Sequence, residues 1–187
     1  RQRQMCIRDR YLSLLTKSGG KDRISRYAKK NKEIVNSTYL RNLKTKIFNN
    51  YLKKNQLKLR PGVKNLILFC KKEKIKLAFV SSTSTNNINA ILYSLRNSIN
   101  KEDFSFVGNS KLVKKFKPNP AIYLLALKKL KLKANDCVAI EDTQESLNSA
   151  KRAKIKCIIF PGKFHSSRKF SGALKKVYRL NKNIILR

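Results

Sequence analysis

The chain predicts an α/β fold: a parallel sheet flanked by helices, preceded by a small helical unit. Three observations carry that expectation. Beyond residue 60, short apolar runs of strand length alternate with segments of helical periodicity, as βαβ units do. Before residue 57 no run reads as a strand, and apolar residues recur at helical spacing. The polar clusters with recognisable chemistry fall after strand-like runs, and in a right-handed parallel sheet such turns share one edge.

Taken in order, residues 1–10 (RQRQMCIRDR) hold four of the 13 Arg and read as translated sequencing adapter, or else as a short basic arm. They are set outside the fold. Residues 11–57 form the expected helical unit. Leu12, Leu14 and Leu15 precede a Gly19-Gly20 break, and Ile24, Tyr27 and Ala28 mark the next helix. Tyr39, Leu40, Leu43, Ile47, Phe48, Tyr51 and Leu52 mark a third, with Asn36 or Ser37 as its cap. Tyr11, Tyr27, Tyr39 and Tyr51 then serve packing or a rim rather than base stacking.

Arg60-Pro61-Gly62 marks a boundary, so residues 58–187 form the α/β core with its C-terminal extension. Within it a helix is expected over 63–74, a strand over 76–80 and a helix over 86–95. A strand follows over 104–107, then a helix over 120–130 and a strand over 137–140. The last pair is a helix over 145–153 and a strand over 156–160. Beyond Gly162 the chain reads as loop, with one helix around 173–178. Alternation of this kind defines a Rossmann-like parallel sheet.

Composition bounds the function. The formal charge of +35 comes from 45 Lys+Arg against 10 Asp+Glu. A nucleic-acid partner is one reading. The other is compositional drift, because Lys (32) exceeds Arg (13), Asn (18) is abundant, and the lysines are spread rather than clustered. No aromatic-plus-basic binding motif accompanies them, so drift is preferred. No apolar stretch is long enough for a membrane span, and a signal peptide is not expected from the opening residues. Cys6, Cys70, Cys137 and Cys157 lack C-x-x-C pairing and suit reduced core thiols. The expected compartment is the cytoplasm.

Three groups carry chemistry. Ser81-Ser82-Thr83 follows the first strand, Lys117 opens the helix after the second, and Glu141-Asp142 ends the third. Hydroxyls and backbone N–H groups at a helix start cradle phosphate oxygens. An ammonium neutralises phosphate charge, and paired carboxylates bind a hard divalent cation such as Mg²⁺. Together they suit phosphoryl transfer, where positioning and charge neutralisation dominate. Each also has a plain reading, as a turn, one lysine among 32, or a helix cap.

The same stretches resemble the haloacid dehalogenase-like hydrolase superfamily, in its CbbY and β-phosphoglucomutase-like branch. LRPGVKNLILFCKKEKIKLAFVSSTS resembles the segment through the second motif, FKPNPAIYLLAL the third and VAIEDTQESLNSAKRAKIK the fourth. The resemblance implies Ser81 and Lys117 as catalytic phosphate-holding residues, with Ser82 and Thr83 at the substrate. It implies Glu141 and Asp142 as Mg²⁺ carboxylates. YLSLLTKSGGKDRISRY resembles the helical cap of that branch, which puts Gly19, Gly20 and Lys21 in a substrate-contacting loop.

The implied activity is a phosphohydrolase working through an aspartyl-phosphate on a small phosphorylated metabolite such as a sugar phosphate, monomeric when complete. A phosphomutase is the alternative within enzymes, and a basic nucleic-acid-binding protein the alternative outside them. Two departures stand out. Ser146 replaces a usual Gly, and no Asp-x-Asp occurs anywhere, Asp9 being followed by Arg10 and Tyr11. The expectation is a fragment lacking the first catalytic strand and part of the cap. It would be inactive and unstable alone, with unpaired edges mid-sheet. His165, the only His, reads as a surface residue.

Overall fold

In a computed structural model of the chain, residues 20–185 are described. The basic stretch 1–10, the helix expected around Leu12, Leu14 and Leu15, and Gly19 lie outside them. The helical unit contains α1 (Gly20–Lys30) and α2 (Ser37–Lys54). Asn36 is the cap of α2, its side chain accepting from the Tyr39 N–H at 2.9 Å. The core then runs α3 (Val63–Lys72), β1 (Ala78–Val80), α4 (Thr85–Ser94), β2 (Phe106–Gly108), α5 (Ala121–Leu130), β3 (Val138–Glu141), α6 (Gln144–Arg152) and β4 (Lys156–Ile159). The expected α/β order holds throughout this stretch.

Pairing is parallel but falls into two sheets among the described residues. In one, β1 lies beside β2, with Val80 opposite Gly108. In the other, β3 lies beside β4, with Glu141 opposite Ile159. A fifth strand corrects the helix expected around 173–178. Lys175–Lys176 forms β5, parallel to β4, with Leu174 N–H donating to Cys157 O and Val177 N–H to Ile159 O, each at 2.8 Å. Leu174 and Tyr178 are each 58% exposed, so their helical spacing did not mark a buried face. The backbone groups along β4 needed partners, and satisfying them outweighed local periodicity.

Helices close both sides of the strands. Ile122 and Tyr123 of α5 and Leu147 and Ala150 of α6 pack with Ala139, Cys157 and Ile159. Leu147 and Ile159 are fully buried, each contributing about 1.5–3 kcal/mol. Ile67 of α3 and Ile88 and Leu92 of α4 pack with Phe79 and Val107, and Leu66 and Cys70 with Phe160 and Leu180. The helical unit is pinned to this core through α4. The buried Ser94 hydroxyl donates to Asn55 O at 2.6 Å and accepts from Leu57 N–H at 2.9 Å.

Cys70 and Cys157 are buried free thiols and Cys137 is a half-buried one. Burial, reinforced by Glu141 and opposed by Lys117, pushes the Cys157 thiol up to about 12, so it stays protonated. No helix among the described residues is long and apolar enough to cross a membrane.

Gly62 and Lys154 show two opposite uses of left-handed backbone. Gly62 caps α3 at φ 83°, and a Cβ there would lie 1.9 Å from Leu180 O. Gly62→Ala should therefore lower stability by about 3 kcal/mol in urea denaturation, and a neutral result would contradict this packing. Lys32, Lys74, Lys131 and Lys154 have φ between 54° and 60°, beside helix ends where glycine is favoured. Lys154→Gly should raise stability by about 1 kcal/mol in the same assay.

Candidate active site

The site forms where β1 and β3 end, and Lys117 joins the two. Its ammonium donates to Val80 O, the last residue of β1, at 3.1 Å. It also forms an ion pair with Glu141 Oε1, the last residue of β3. The Lys117 and Glu141 side chains are only 8% and 11% exposed. A buried ammonium is tolerated only when paired and hydrogen-bonded, so both contacts are required by its position.

Lys117 does not open the helix as the sequence suggested. It lies in the turn ahead of α5, which begins at Ala121. Pro118 and Pro120 delay the helix, since proline restricts the residue before it to extended backbone. Asn119 then organises the helix start: its Oδ1 accepts from Ala121 N–H at 3.0 Å, and its carbonyl accepts from the Ser149 hydroxyl at 2.7 Å.

The hydroxyl cluster meets the same point. Ser81 N–H continues the strand pairing to Gly108 O at 3.1 Å, and Ser81 Oγ accepts from Thr83 N–H at 3.2 Å. Ser82 Oγ accepts from Lys117 N–H at 3.4 Å, which ties the turn to the lysine loop. Thr83 Oγ1 accepts from Asn87 Nδ2 at 2.8 Å, and Ser84 caps α4. Ser81, Ser82 and Thr83 are all half-buried at the N-terminus of that helix, the place where anions bind.

On the β3 side, Glu141 is half-buried and Asp142 exposed. Thr143 caps α6, accepting from Ser146 N–H at 3.3 Å, so Ser146 in place of glycine leaves the helix start intact. The structure thus brings Ser81, Ser82, Lys117 and Glu141 together. Gly20 and Lys21 stand at the start of α1, with Lys21 exposed, and neither bonds to these groups among the described residues.

Two residues escaped the sequence reading. Tyr123 donates its hydroxyl to Glu141 Oε1, the oxygen that already receives Lys117. Its only signal was a polar tip inside the otherwise aliphatic AIYLLAL. Burial first, then Glu141, raises the Tyr123 pKa well above its ordinary value, so the hydroxyl remains a donor. Arg60 donates to Phe160 O at 2.7 Å and Pro161 O at 2.6 Å, and its guanidinium lies 3.4 Å from the Phe160 ring centroid. Burial lowers its pKa, and the Asp142 carboxylate opposes that. His165 is half-buried; burial and then Arg168 lower its pKa, with Asp142 opposing.

Known proteins resemble this chain in sequence and fold. The family model for haloacid dehalogenase-like hydrolases matches residues 6–160. Protein CbbY of Cereibacter sphaeroides is 33% identical over 169 residues, covering 89% of this chain and 74% of that protein. A crystal structure of CbbY from Rhodobacter sphaeroides in complex with phosphate superposes with a TM-score of 0.80 at 31% identity. The overlap spans 91% of this chain and 77% of that one. A mutant of that CbbY in complex with xylulose-(1,5)bisphosphate matches equally well. The fold, the family model and these relatives together define a phosphatase-type hydrolase. The chain belongs to the haloacid dehalogenase-like hydrolase family, in its CbbY-like branch.

Two measurements test the geometry. Lys117→Met strands Glu141 and should cost about 3 kcal/mol in urea denaturation, while Lys117→Met with Glu141→Gln should recover much of it. Simple additivity of the two losses would show that the pair is not coupled. The raised Tyr123 pKa gives an alkaline limb. Its contribution is complete below the ordinary tyrosine pKa of about 10 and is lost as pH climbs toward the folded value. In urea denaturation as a function of pH, Tyr123→Phe should reduce the alkaline loss of stability to what the raised Cys157 thiol leaves, and an unchanged alkaline profile would contradict the assignment.

Proposed function

We propose that this chain carries the phosphate- and metal-facing part of a Mg²⁺-dependent phosphohydrolase for a small phosphorylated metabolite, a sugar phosphate or bisphosphate, in the cytoplasm. The carrying observation is the buried Lys117 ammonium, fixed between Val80 O and Glu141 beside the Ser81–Ser82–Thr83 turn. In this reading Ser81 and Lys117 hold the phosphoryl oxygens, with Ser82 and Thr83 shaping the turn. Gly20 and Lys21 contact the sugar end from the helical unit. The xylulose-(1,5)bisphosphate in the CbbY mutant structure supports a sugar bisphosphate as substrate.

The donors fit Mg²⁺ in kind. Magnesium takes one or two carboxylates and completes its shell with water and substrate phosphate. Asp142 is exposed, and Glu141 accepts both its hydrogen bonds at Oε1, leaving Oε2 unbonded among the described residues. Those two residues would hold the ion, which when bound supplies charge neutralisation at the phosphoryl oxygens. No cluster of three or more His, Cys, Asp or Glu exists among the described residues, so affinity from this chain alone should be weak.

The nucleophile is absent from this sequence. The aspartyl-phosphate route that the family resemblance implies uses the first Asp of an Asp-x-Asp as nucleophile, and none of the five Asp occurs in one. The 187-residue chain alone should therefore release no phosphate from xylulose-1,5-bisphosphate or p-nitrophenyl phosphate with Mg²⁺. Measurable turnover would overturn the aspartyl-phosphate reading. Fused behind a strand carrying Asp-x-Asp, the chain should hydrolyse sugar phosphates. Lys117→Ala or Asp142→Asn in that fusion should each cost about 10²–10³ in kcat. Unchanged rates would contradict the assigned roles. The lysines in left-handed backbone positions, where glycine is cheaper, support drift as the origin of the charge over selection for nucleic acid.

A further inference from the structure

We infer that Tyr123 is a positioning residue of this site, holding Glu141 by its hydroxyl and Lys117 by its ring. The inference rests on the reading above, in which Lys117 serves phosphate and Glu141 the cation. One side chain touches both groups. The Tyr123 hydroxyl donates to Glu141 Oε1, and the Lys117 Nζ lies 5.0 Å from the Tyr123 ring centroid, within cation–π range. Lys117 donates to that same carboxylate oxygen, so three groups are mutually fixed rather than paired two by two.

Packing alone does not require this residue. Tyr123 is 7% exposed in a helix face that is otherwise aliphatic, and a phenyl ring would fill the same space. A buried hydroxyl is costly without a partner, and here the partner is the carboxylate at the end of β3. With Lys117 and Tyr123 both on Oε1, the carboxylate is held in one orientation and Oε2 is the oxygen presented to a cation. The backbone under Tyr123 is itself fixed, because Asn119 ties the start of α5 to Ser149 of α6. Tyr123 thus transmits the position of α5 to both charges.

The test compares the wild-type chain with Tyr123→Phe and Lys117→Ala, using inorganic phosphate in calorimetry and Mn²⁺ in electron paramagnetic resonance. Thermal melting is followed in parallel. Tyr123→Phe keeps the ring and loses the hydroxyl. The expected result is a fall of about fivefold in Mn²⁺ affinity and a smaller fall in phosphate affinity, with the fold retained. If Tyr123→Phe binds both probes as the wild type does while Lys117→Ala has lost phosphate, the inference fails and the functional reading stands. If Lys117→Ala binds phosphate unchanged, the reading fails and the inference with it. Should Tyr123→Phe not fold, the assigned Tyr123 Cζ resonance of the wild-type chain decides. It should shift on addition of Mg²⁺, and a resonance unmoved at Mg²⁺ saturation overturns the role.

Discussion

The interaction on which the rest depends is the buried contact of Lys117 with Val80 O and Glu141. Among the described residues β1 and β3 share no strand pairing, so this ammonium bonds the carboxyl end of one sheet to that of the other. Its burial makes the arrangement obligatory, since an ammonium out of water must find charge and hydrogen bonds. The hydroxyl turn follows from the same contact, because Ser82 Oγ receives the Lys117 N–H. The carboxylate end follows too, because Glu141 is held by Lys117 and Tyr123 together. One lysine therefore sets both the hydroxyl turn and the carboxylate, the two corners to which the proposed function gives phosphate and the cation.

Most of this was legible in the residues. Apolar runs such as LAFV and VAIE, separated by amphipathic segments, gave the element order, because a buried parallel strand and its crossover helix each leave a distinct period. The strand-end position of Ser81 and Glu141 was legible for the same reason. What escaped was decided by long-range contacts. Residues 173–178 had helical spacing, yet the backbone of β4 recruited Lys175 and Lys176 as a strand. Tyr123 was not singled out, because nothing local says whether a tyrosine's hydroxyl meets a carbonyl or the carboxylate of Glu141. Arg60 sits 100 residues from Phe160, whose carbonyl it caps, and no periodicity reports such a distance.

The charge of +35 is separable from the site. In the ion pair Lys71–Asp103 the lysine is exposed, whereas in Lys117–Glu141 both side chains are largely shielded from water. Surface lysines raise the general attraction for any anion and are screened by salt. Lys117 differs by its fixed geometry and its exclusion from water, which make its interaction local and less sensitive to ionic strength.

That distinction supplies the most direct test of the account. Inorganic phosphate is titrated into the uniformly ¹⁵N-labelled chain at moderate salt, and amide shifts are followed residue by residue. The account predicts saturable shifts concentrated at Ser81, Ser82, Thr83 and Lys117, with a common midpoint. Shifts scattered over the exposed lysines, without saturation at this turn, would contradict it.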